Sequence, residues 1–206
     1  MKRVLLGFFG IILASAGGCT STVGGDCGPF PDAFKTTGFS TTVAQLDSLS
    51  ATGRPVLSAV DDTIRGPLAV RMEPIKETYT TASRERAVTL IPSARACSPP
   101  IPTSEEVIQE LRMYSTVDFG PDYPAGDNLA PFLDVVALYR AEFGYRRADL
   151  PDFLAQSPNA ADELILILEA APDAPRPARF TVEYEQEGRG LASYTYTTRP
   201  VVLTQP

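Results

Sequence analysis

Hydrophobic residues alternate with polar ones most regularly in the C-terminal part of the chain. Phe180, Val182 and Tyr184 alternate with threonine and glutamate, and the alternation returns over 192–198. A period of two is typical of a half-buried strand. The intervening segment 187–190 contains two glycines, which supply the positive φ angles of a turn. We therefore predict a long hairpin, stabilised by aromatic pairs across its two strands.

Shorter hydrophobic patterns predict more strands along the chain. One of these predicted strands spans 107–117. The residues before it, Ser104-Glu105-Glu106, could also begin a helix, which is the alternative here. A short helix is expected near 150–154. The remaining predicted strands lie at 39–43, 67–72, 86–91, 132–139 and 201–203.

The run Leu164-Ile165-Leu166-Ile167-Leu168 is apolar at every position. Such a run is typical of a central strand buried on both faces, and a strand is favoured here. A helix is the alternative, because Pro158 and Pro172 would also bound one. Many strands with Pro- and Gly-rich loops predict a mostly β, single-domain, immunoglobulin-like β-sandwich over 29–206, with a short helix and long loops. The chain has no Trp, so the likeness to immunoglobulins concerns architecture alone.

The chain begins with Met1-Lys2-Arg3, and the residues 4–14 that follow are apolar or small. A positive start, an apolar stretch of about 7–15 residues and small residues at a cleavage site form a secretory signal pattern. The apolar stretch is too short to span a bilayer, which takes about 20 residues. We therefore expect residues 1–18 to be a signal peptide that is removed on export.

The end of this signal resembles the lipobox of bacterial lipoproteins, because small residues at 16–18 stand directly before Cys19. The resemblance implies a diacylglycerol thioether on Cys19, an acyl chain such as palmitate on its amine, and anchoring of the protein to a membrane. Thr20, rather than Asp, follows Cys19, and this favours the outer membrane. Residues 19–28 are small, polar and Gly-rich, as in a flexible tether. The alternative is an ordinary secretory signal cut near Ala16, with Cys19 a plain thiol.

Four short pieces of the chain also resemble uncharacterised envelope lipoproteins of Bacteroidota and their relatives. The pieces are 96–99 (Ala-Cys-Ser-Pro), 116–119 (Thr-Val-Asp-Phe), 123–126 (Tyr-Pro-Ala-Gly) and 196–198 (Tyr-Thr-Thr). They follow the same order as in those proteins, after a lipobox with a second cysteine close behind it. The resemblance implies a place in the cell envelope and supplies no activity.

Cys27 and Cys97 are the two cysteines that would remain beside a lipidated Cys19. An exported chain with two thiols is a candidate for one disulfide. That bond would close a loop of about 70 residues and stabilise the fold by roughly 4 kcal/mol at most. The alternative is two free thiols, at least one of them buried as a small apolar side chain.

Composition narrows the possible chemistry. The chain has 206 residues, no His and a net charge of −7. The lack of His excludes Ser-His-Asp and Cys-His catalysis and imidazole zinc sites, and the negative charge argues against nucleic acid as a partner. The sequence has neither a GK[ST] phosphate loop nor a GxSxG motif, so no cofactor is expected. Residue type still allows paired carboxylates, as in a glycosidase.

The loop 118–128 (DFGPDYPAGDN) is a candidate calcium site. Its four oxygen-bearing side chains, Asp118, Asp122, Asp127 and Asn128, lie among glycines. Ca²⁺ takes six to eight oxygen ligands, and such a loop can wrap around it. Asp, Asn, Gly and Pro also build solvated turns without a metal, and the loop lacks the EF-hand spacing.

These features predict a lipid-anchored envelope protein that acts as a binding or structural module rather than as an enzyme, with an envelope protein or a glycan as its partner. One alternative is a carboxylate-dependent hydrolase that acts on polysaccharide. Another is an accessory subunit of an envelope transport complex. The basic doublet Arg146-Arg147 is expected to lie in a solvated loop, and the aromatic residues are expected to fill the core.

Overall fold

The computed structural model describes residues 31–81, 101–140, 144–172 and 175–204. Within these ranges the chain is mostly β, as the sequence predicts, with a single short α-helix and one turn of 3-10 helix at Ala130–Phe132. The helix, α1, spans Leu150–Ala155 and confirms the prediction of a short helix near 150–154. The strands are β1 (Ala33–Leu49), β2 (Pro55–Ala59), β3 (Thr63–Ile64), β4 (Leu68–Tyr79), β5 (Thr103–Ser104), β6 (Val107–Ser115), β7 (Leu133–Tyr139), β8 (Gly144–Asp149), β9 (Glu163–Leu168), β10 (Pro177–Ala178), β11 (Phe180–Glu187), β12 (Ser193–Thr197) and β13 (Val201–Leu203).

The strands form one large sheet and two small ones. The large sheet has the order β2-β1-β4-β9-β7-β8, and β5 adds to it by pairing in parallel with the first residues of β1. The other neighbours in the large sheet are antiparallel. The small sheets have the orders β12-β11-β6 and β10-β13-β3. Neither helix in the described ranges has the length and apolar character that crossing a membrane requires.

The predicted C-terminal hairpin is confirmed. β11 pairs with β12 in an antiparallel register that places Tyr184 opposite Tyr194. The ring of Phe39, on β1, lies 4.8 Å from the ring of Tyr184 and 5.1 Å from that of Tyr194, measured between centroids. The aromatic pair therefore also joins the hairpin to the large sheet.

The apolar run 164–168 is a strand, as favoured, and it lies in the middle of the large sheet. Leu164, Leu166 and Leu168 contribute to the main core, while Ile165 and Ile167 point to the opposite face and join a second, smaller cluster. This explains why the run has no polar positions, because both faces of the sheet are covered at β9.

Several boundaries differ from the predictions, and five strands were not predicted, namely β2, β3, β5, β8 and β10. β4 continues through Pro74 to Tyr79, because β9 pairs with it only as far as Met72 and the rest of β4 tolerates a residue without an N–H. The helix considered at 104–106 is wrong, since these residues end β5 and lead into β6. No hydrophobic pattern indicates β8, which contains Arg146 and Arg147 and is an edge strand held by β7. The predicted strand 86–91 lies outside the described residues.

Most buried apolar side chains form one main core, to which all three sheets and α1 contribute. The smaller cluster on the other face of the large sheet consists of Ala69, Val136, Ile165 and Ile167. Leu46, Leu57 and Tyr145 pack against this second cluster, and Gly53 in the turn between β1 and β2 lies close to Tyr145 of β8. The large sheet is therefore curled, and its end at β8 and the helix that follows make one side of a cleft.

Candidate functional site

A cleft of about 590 Å³ lies between the start of β1, the β7–β8 hairpin and the segment that follows α1. Its volume is within the range of about 300–1,000 Å³ that is usual for small-molecule sites. Its walls come from four segments that are far apart in sequence. The lining residues are Phe34, Thr103, Ser104, Tyr139, Arg146, Arg147, Ala148, Phe153, Gln156, Ser157, Pro158, Asn159, Ala160 and Asp162.

Arg146 and Tyr139 form the wall contributed by β7 and β8. The Tyr139 hydroxyl donates a hydrogen bond to the backbone carbonyl of Asn159 at 3.1 Å, so the ring is fixed to the opposite wall. The Arg146 guanidinium carbon lies 5.5 Å from the centre of the Tyr139 ring, within cation–π distance. The expectation of a solvated loop for Arg146 is therefore wrong, because this arginine lies on a strand and lines the cleft.

Arg147, the neighbouring residue, has its charge matched by acidic partners. Its Nε donates to Asp134 Oδ2 at 2.6 Å, and its Nη2 donates to Glu169 Oε1 at 2.6 Å. The hydrogen bond to Asp134 is the main reason that the pKa of Arg147 is raised, with burial opposing it. Arg147 thus joins β8 to β7 and to the residue that follows β9, and its role in the cleft wall is structural.

Asp162 is the one carboxylate among the lining residues, and both of its oxygens are engaged. Lys76 donates to Oδ1, and the backbone N–H of Arg140 donates to Oδ2 at 2.8 Å. The Lys76 ammonium in turn lies 4.1 Å from the centre of the Phe34 ring. Asp162 therefore ties β4 to the end of β7, and a second carboxylate that could act with it in hydrolysis is lacking among the lining residues.

The third wall is the segment 156–160, which leaves α1 through an unusual backbone conformation. Ser157 has φ of 48°, the one positive φ of a residue other than glycine in the described part of the chain. A helix commonly ends on such a residue, but glycine is the usual choice because a side chain costs about 1 kcal/mol or more there. The backbone then bonds to the region of β6, with Ile108 N–H donating to Pro158 O at 2.9 Å and Ala160 N–H donating to Glu106 O at 2.7 Å. These bonds hold Ser157 and its neighbours in place as a cleft wall.

A buried polar cluster lies behind the cleft. Its central residue is Glu106, which is only 1% exposed. Glu106 Oε2 accepts a hydrogen bond from the backbone N–H of Thr36 at 2.8 Å and one from the hydroxyl of Ser104 at 3.4 Å. Ser104 also lines the cleft, so it joins the two regions. Three buried side-chain atoms of the described residues have no hydrogen-bond partner, and they are Glu106 Oε1, Thr36 Oγ1 and Gln186 Nε2.

The turn of the β11–β12 hairpin covers this polar cluster. Gly188 has φ of 144°, as predicted for a turn glycine. Gly190 has no positive φ, and its role is to allow close approach, since a Cβ there would overlap Glu106 Oε1 and the backbone oxygen of Thr36. Leu191 N–H donates to that same Thr36 oxygen at 2.7 Å. The turn is thus fastened to β1 directly above Glu106.

Tyr184 is the titratable group beside this cluster with a strongly shifted pKa. Burial, reinforced by the nearby Glu106, raises the pKa of Tyr184 well above its usual value. Its hydroxyl is therefore protonated, and it donates to Gln186 Oε1 at 2.6 Å. The hydroxyl serves to satisfy a buried amide oxygen.

The loop 118–128 uses two of its four predicted calcium ligands for other contacts. Asp118 accepts the Ala125 N–H at 2.8 Å and an Arg176 hydrogen bond at 3.1 Å, and Asn128 Oδ1 accepts the Ala130 N–H at 3.1 Å. No group of three acidic or cysteine side chains within the described residues is arranged to hold a metal ion. The side chains of Asp118 and Asn128 here build turns, which is the metal-free interpretation of the loop.

The other predicted site residues, Cys19, Cys27 and Cys97, lie outside the described residues, so lipidation and the disulfide stay predictions. The cleft residues were missed, because no single segment carries more than a fragment of the site. The alternative helix over 164–168, which Pro158 would have bounded, is wrong, because that run is β9 and the segment around Pro158 instead follows the end of α1. The chain matches no known protein family, no curated protein and no solved structure in comparisons with each.

Proposed function

We propose that this protein is a lipid-anchored lipoprotein of the cell envelope, and that its folded part is a binding module with the cleft as its binding site. The proposal that the protein is lipid-anchored is based on the sequence. A positively charged start and an apolar stretch lead to small residues directly before Cys19. Two or more acyl chains hold a protein stably on a membrane. The folded part is then free to present the cleft without inserting into the bilayer.

The proposal that the folded part is a binding module is supported by the cleft itself. Its walls are held in place by the hydrogen bond from Tyr139 to Asn159 on the opposite wall, by the contact of Asp162 with Lys76, and by the contact of Ser104 with Glu106. A site whose walls are held before the ligand arrives loses less entropy on binding. A residue with positive φ, Ser157, is one of its walls, and strained backbone is concentrated at functional sites.

The packing of the sheets supports a sandwich arrangement, which we infer for the fold. Inward-facing residues of the large sheet and of β6 and β11 share the main core. Phe39 on one sheet touches both Tyr184 and Tyr194 on the other, and the hydroxyls of Thr41 and Tyr194 are 3.1 Å apart. Two sheets that cover a common core in this way are the defining feature of a sandwich.

Anchoring is tested by mass spectrometry of the mature N-terminal peptide after detergent extraction of membranes. We expect a peptide that starts at Cys19 and carries the mass of three acyl chains with glycerol. The variant Cys19→Ala should leave the membrane fraction, and Cys27→Ala is the matched control that should stay in it. A mature chain that starts near Gly17 or Gly18 with an unmodified Cys19 would contradict the proposal.

A further inference from the structure

The strand β8 forms one edge of the large sheet, and among the described residues β7 is the one strand that pairs with it. An edge strand presents backbone N–H and C=O groups that can pair with another chain. Which groups of β8 point outward follows from the way in which β7 is bonded to its two neighbours, β8 and β9.

The backbone of β7 bonds alternately to β9 and to β8. On the side of β9, the carbonyl oxygen of Leu138 accepts the N–H of Asp162 at 2.8 Å. The oxygen of Phe132, just before β7, accepts the N–H of Glu169 on the same side at 3.4 Å. Because successive residues of an antiparallel strand bond to opposite neighbours, the even-numbered residues of β7 face β9 and the odd-numbered residues face β8.

The register of β7 and β8 then identifies the outward groups of β8. Ala137 faces β8 and lies opposite Arg146, so the backbone of Arg146 bonds to β7. The backbone N–H and C=O groups of the residues on either side of it, Tyr145 and Arg147, therefore point away from β7. Within the described ranges these four groups have no hydrogen-bond partner. They are the groups that an added strand would use.

The cleft lies beside this open edge. Its lining includes Arg146, Arg147 and Ala148, which are consecutive in β8. Neighbouring residues of a strand point to opposite faces of the sheet, so a cleft that touches all three includes the edge of the strand. The cleft surface is slightly more apolar than polar, and the partly exposed side chains of Ala148 and Pro158 belong to it. A strand added to β8 would therefore place alternate side chains in the cleft.

We propose that the cleft binds an extended peptide segment of another protein, which adds to β8 as a further strand. The peptide backbone bonds to the outward groups of Tyr145 and Arg147, and an apolar side chain of the peptide enters the cleft. In this mode of recognition the backbone hydrogen bonds provide affinity, and the pocket for alternate side chains provides specificity. A peptide combines a polar backbone with apolar side chains, which suits the mixed surface of the cleft. This inference names the partner of the binding module and so rests on the proposed function.

A second copy of this chain is a poorer occupant of the edge. Two β8 strands can pair through their outward groups over most of their length in two antiparallel registers. One register places Arg146 opposite Arg146 of the other copy, and the other register does the same for Arg147. Like charges directly opposite each other destabilise a strand pair. The two arginines therefore oppose pairing of β8 with itself and leave the edge to a peptide of different sequence.

The test is fluorescence anisotropy of the full chain with a labelled probe peptide, Thr-Val-Thr-Val-Thr, in three forms. The first form has unmodified amides, the second is N-methylated on both valines, and the third is N-methylated on the middle and last threonines. An added strand turns only every second amide toward β8. One methylated peptide should therefore bind within about threefold of the unmodified peptide, while the other binds at least about tenfold more weakly.

Two variants of Arg147 test whether the peptide bonds to β8. Arg147→Pro removes the outward N–H and keeps the hydrogen bonds between β8 and β7, and proline is tolerated in edge strands. Arg147→Gln removes the same guanidinium and keeps the N–H. We expect the proline variant to bind the unmodified peptide at least about tenfold more weakly than the glutamine variant does. Circular dichroism checks that both variants fold, and the methylated peptides test the unaltered protein if the proline variant does not fold.

Equal binding of the two methylated peptides, no binding of the unmodified peptide, or equal binding by two folded Arg147 variants would each overturn the proposal. Peptide binding that neither methylation nor Arg147→Pro weakens would overturn strand addition and leave the binding module in place. A lipidated protein that binds no peptide would overturn this inference and leave the anchor in place. Peptide binding by a protein with an unmodified Cys19 would overturn the anchoring proposal alone.

Discussion

Glu106 and Asp118 are two carboxylates that both bind a backbone N–H, one in the core and the other at the surface. Each accepts a backbone N–H at 2.8 Å, Glu106 from Thr36 and Asp118 from Ala125. Glu106 is 1% exposed, whereas half of the Asp118 side chain is exposed and pairs with Arg176. The comparison teaches that the same hydrogen bond contributes different amounts to the free energy of unfolding at the two places. A buried N–H that loses its acceptor cannot form a hydrogen bond with water instead, whereas an exposed one can.

The glycines beside the two carboxylates differ in the same way. Gly190 is packed against Glu106 and the backbone of Thr36, while nothing lies within 4 Å of a Cβ placed on Gly126. Position 126 requires glycine because its φ of 93° is unfavourable for a residue with a side chain. Position 190 requires glycine because the neighbouring atoms leave no room for a Cβ. Substitutions near Glu106 should therefore lower the free energy of unfolding through steric clashes and unpaired buried groups. Substitutions near Asp118 should lower it only through backbone strain and lost surface contacts.

The largest effect is expected from Gly190→Ala. Its methyl group must displace the β11–β12 turn from β1, and the free energy of unfolding should fall by about 4 kcal/mol or more. Gly126→Ala, the control in the surface loop, adds strain without a clash and should cost about 1–2 kcal/mol. Urea unfolding of both variants measures the two values, and equal losses would contradict the packing that we describe around Gly190.

Glu106→Ala should have the next largest effect, a loss of about 3 kcal/mol. It leaves the Thr36 N–H without an acceptor and opens a small cavity. Glu106→Gln keeps an oxygen at that place and should cost only about 1 kcal/mol. A glutamine variant that is as unstable as the alanine variant in urea would show that the N–H acceptor is not what Glu106 provides.

Tyr184→Phe should cost about 1 kcal/mol at pH 7, because it leaves Gln186 Oε1 unpaired in the core. The pKa of Tyr184 is raised in the folded protein, chiefly by burial and then by Glu106, from the usual value of 10.0. The stability held by its neutral form is thus complete below about pH 10 and is lost as the pH rises above that value. Stability curves at pH 8 and pH 11 should show the difference between parent and variant narrowing at pH 11. A gap that widens instead would contradict the burial of this hydroxyl.

Asp118→Asn should give the smallest effect of the four. The hydrogen bond from Ala125, followed by that from Arg176, lowers the pKa of Asp118 below its usual 3.8. Its contribution is therefore present above pH 3.8 and is lost as the pH falls through the lower, folded-state value. Thermal unfolding should show a small difference between parent and variant at pH 7 that shrinks as the pH falls below 3.8, and a difference that stays the same as the pH is lowered would exclude the proposed role of the charge.

The parts of the fold that the sequence predicts are those with strong local patterns. The alternation at 180–185, the apolar run of β9 and the hairpin glycines each describe an element by themselves. β8 was missed because Tyr145 and Ala148 are too few to form a pattern, and this strand exists because β7 offers it a partner. Glu106 was not recognised as buried, since a glutamate in a polar stretch is expected to be exposed unless one knows that Thr36 and the hairpin turn enclose it.

The cleft could not be predicted for a related reason. Phe34, Ser104, Arg146 and Asn159 come together only when β1, β5, β8 and the segment after α1 have taken their places. The chemistry of such a site belongs to the tertiary arrangement, and no short motif along the chain encodes it. The calcium loop shows the opposite case, in which a local motif pointed to chemistry and the structure uses two of its oxygens to shape the backbone.

The pairing of β4 with β9 has a consequence for how the molecule assembles. These strands lie side by side although they are roughly a hundred residues apart in the chain, and contacts over such separations slow folding because a long loop must close first. β1 and β4 can pair as soon as both have been synthesised, but the open edge of β4 must wait for β9. During that interval its apolar residues are exposed to other chains, so the centre of the mature sheet is the place where a newly made molecule is most vulnerable to aggregation.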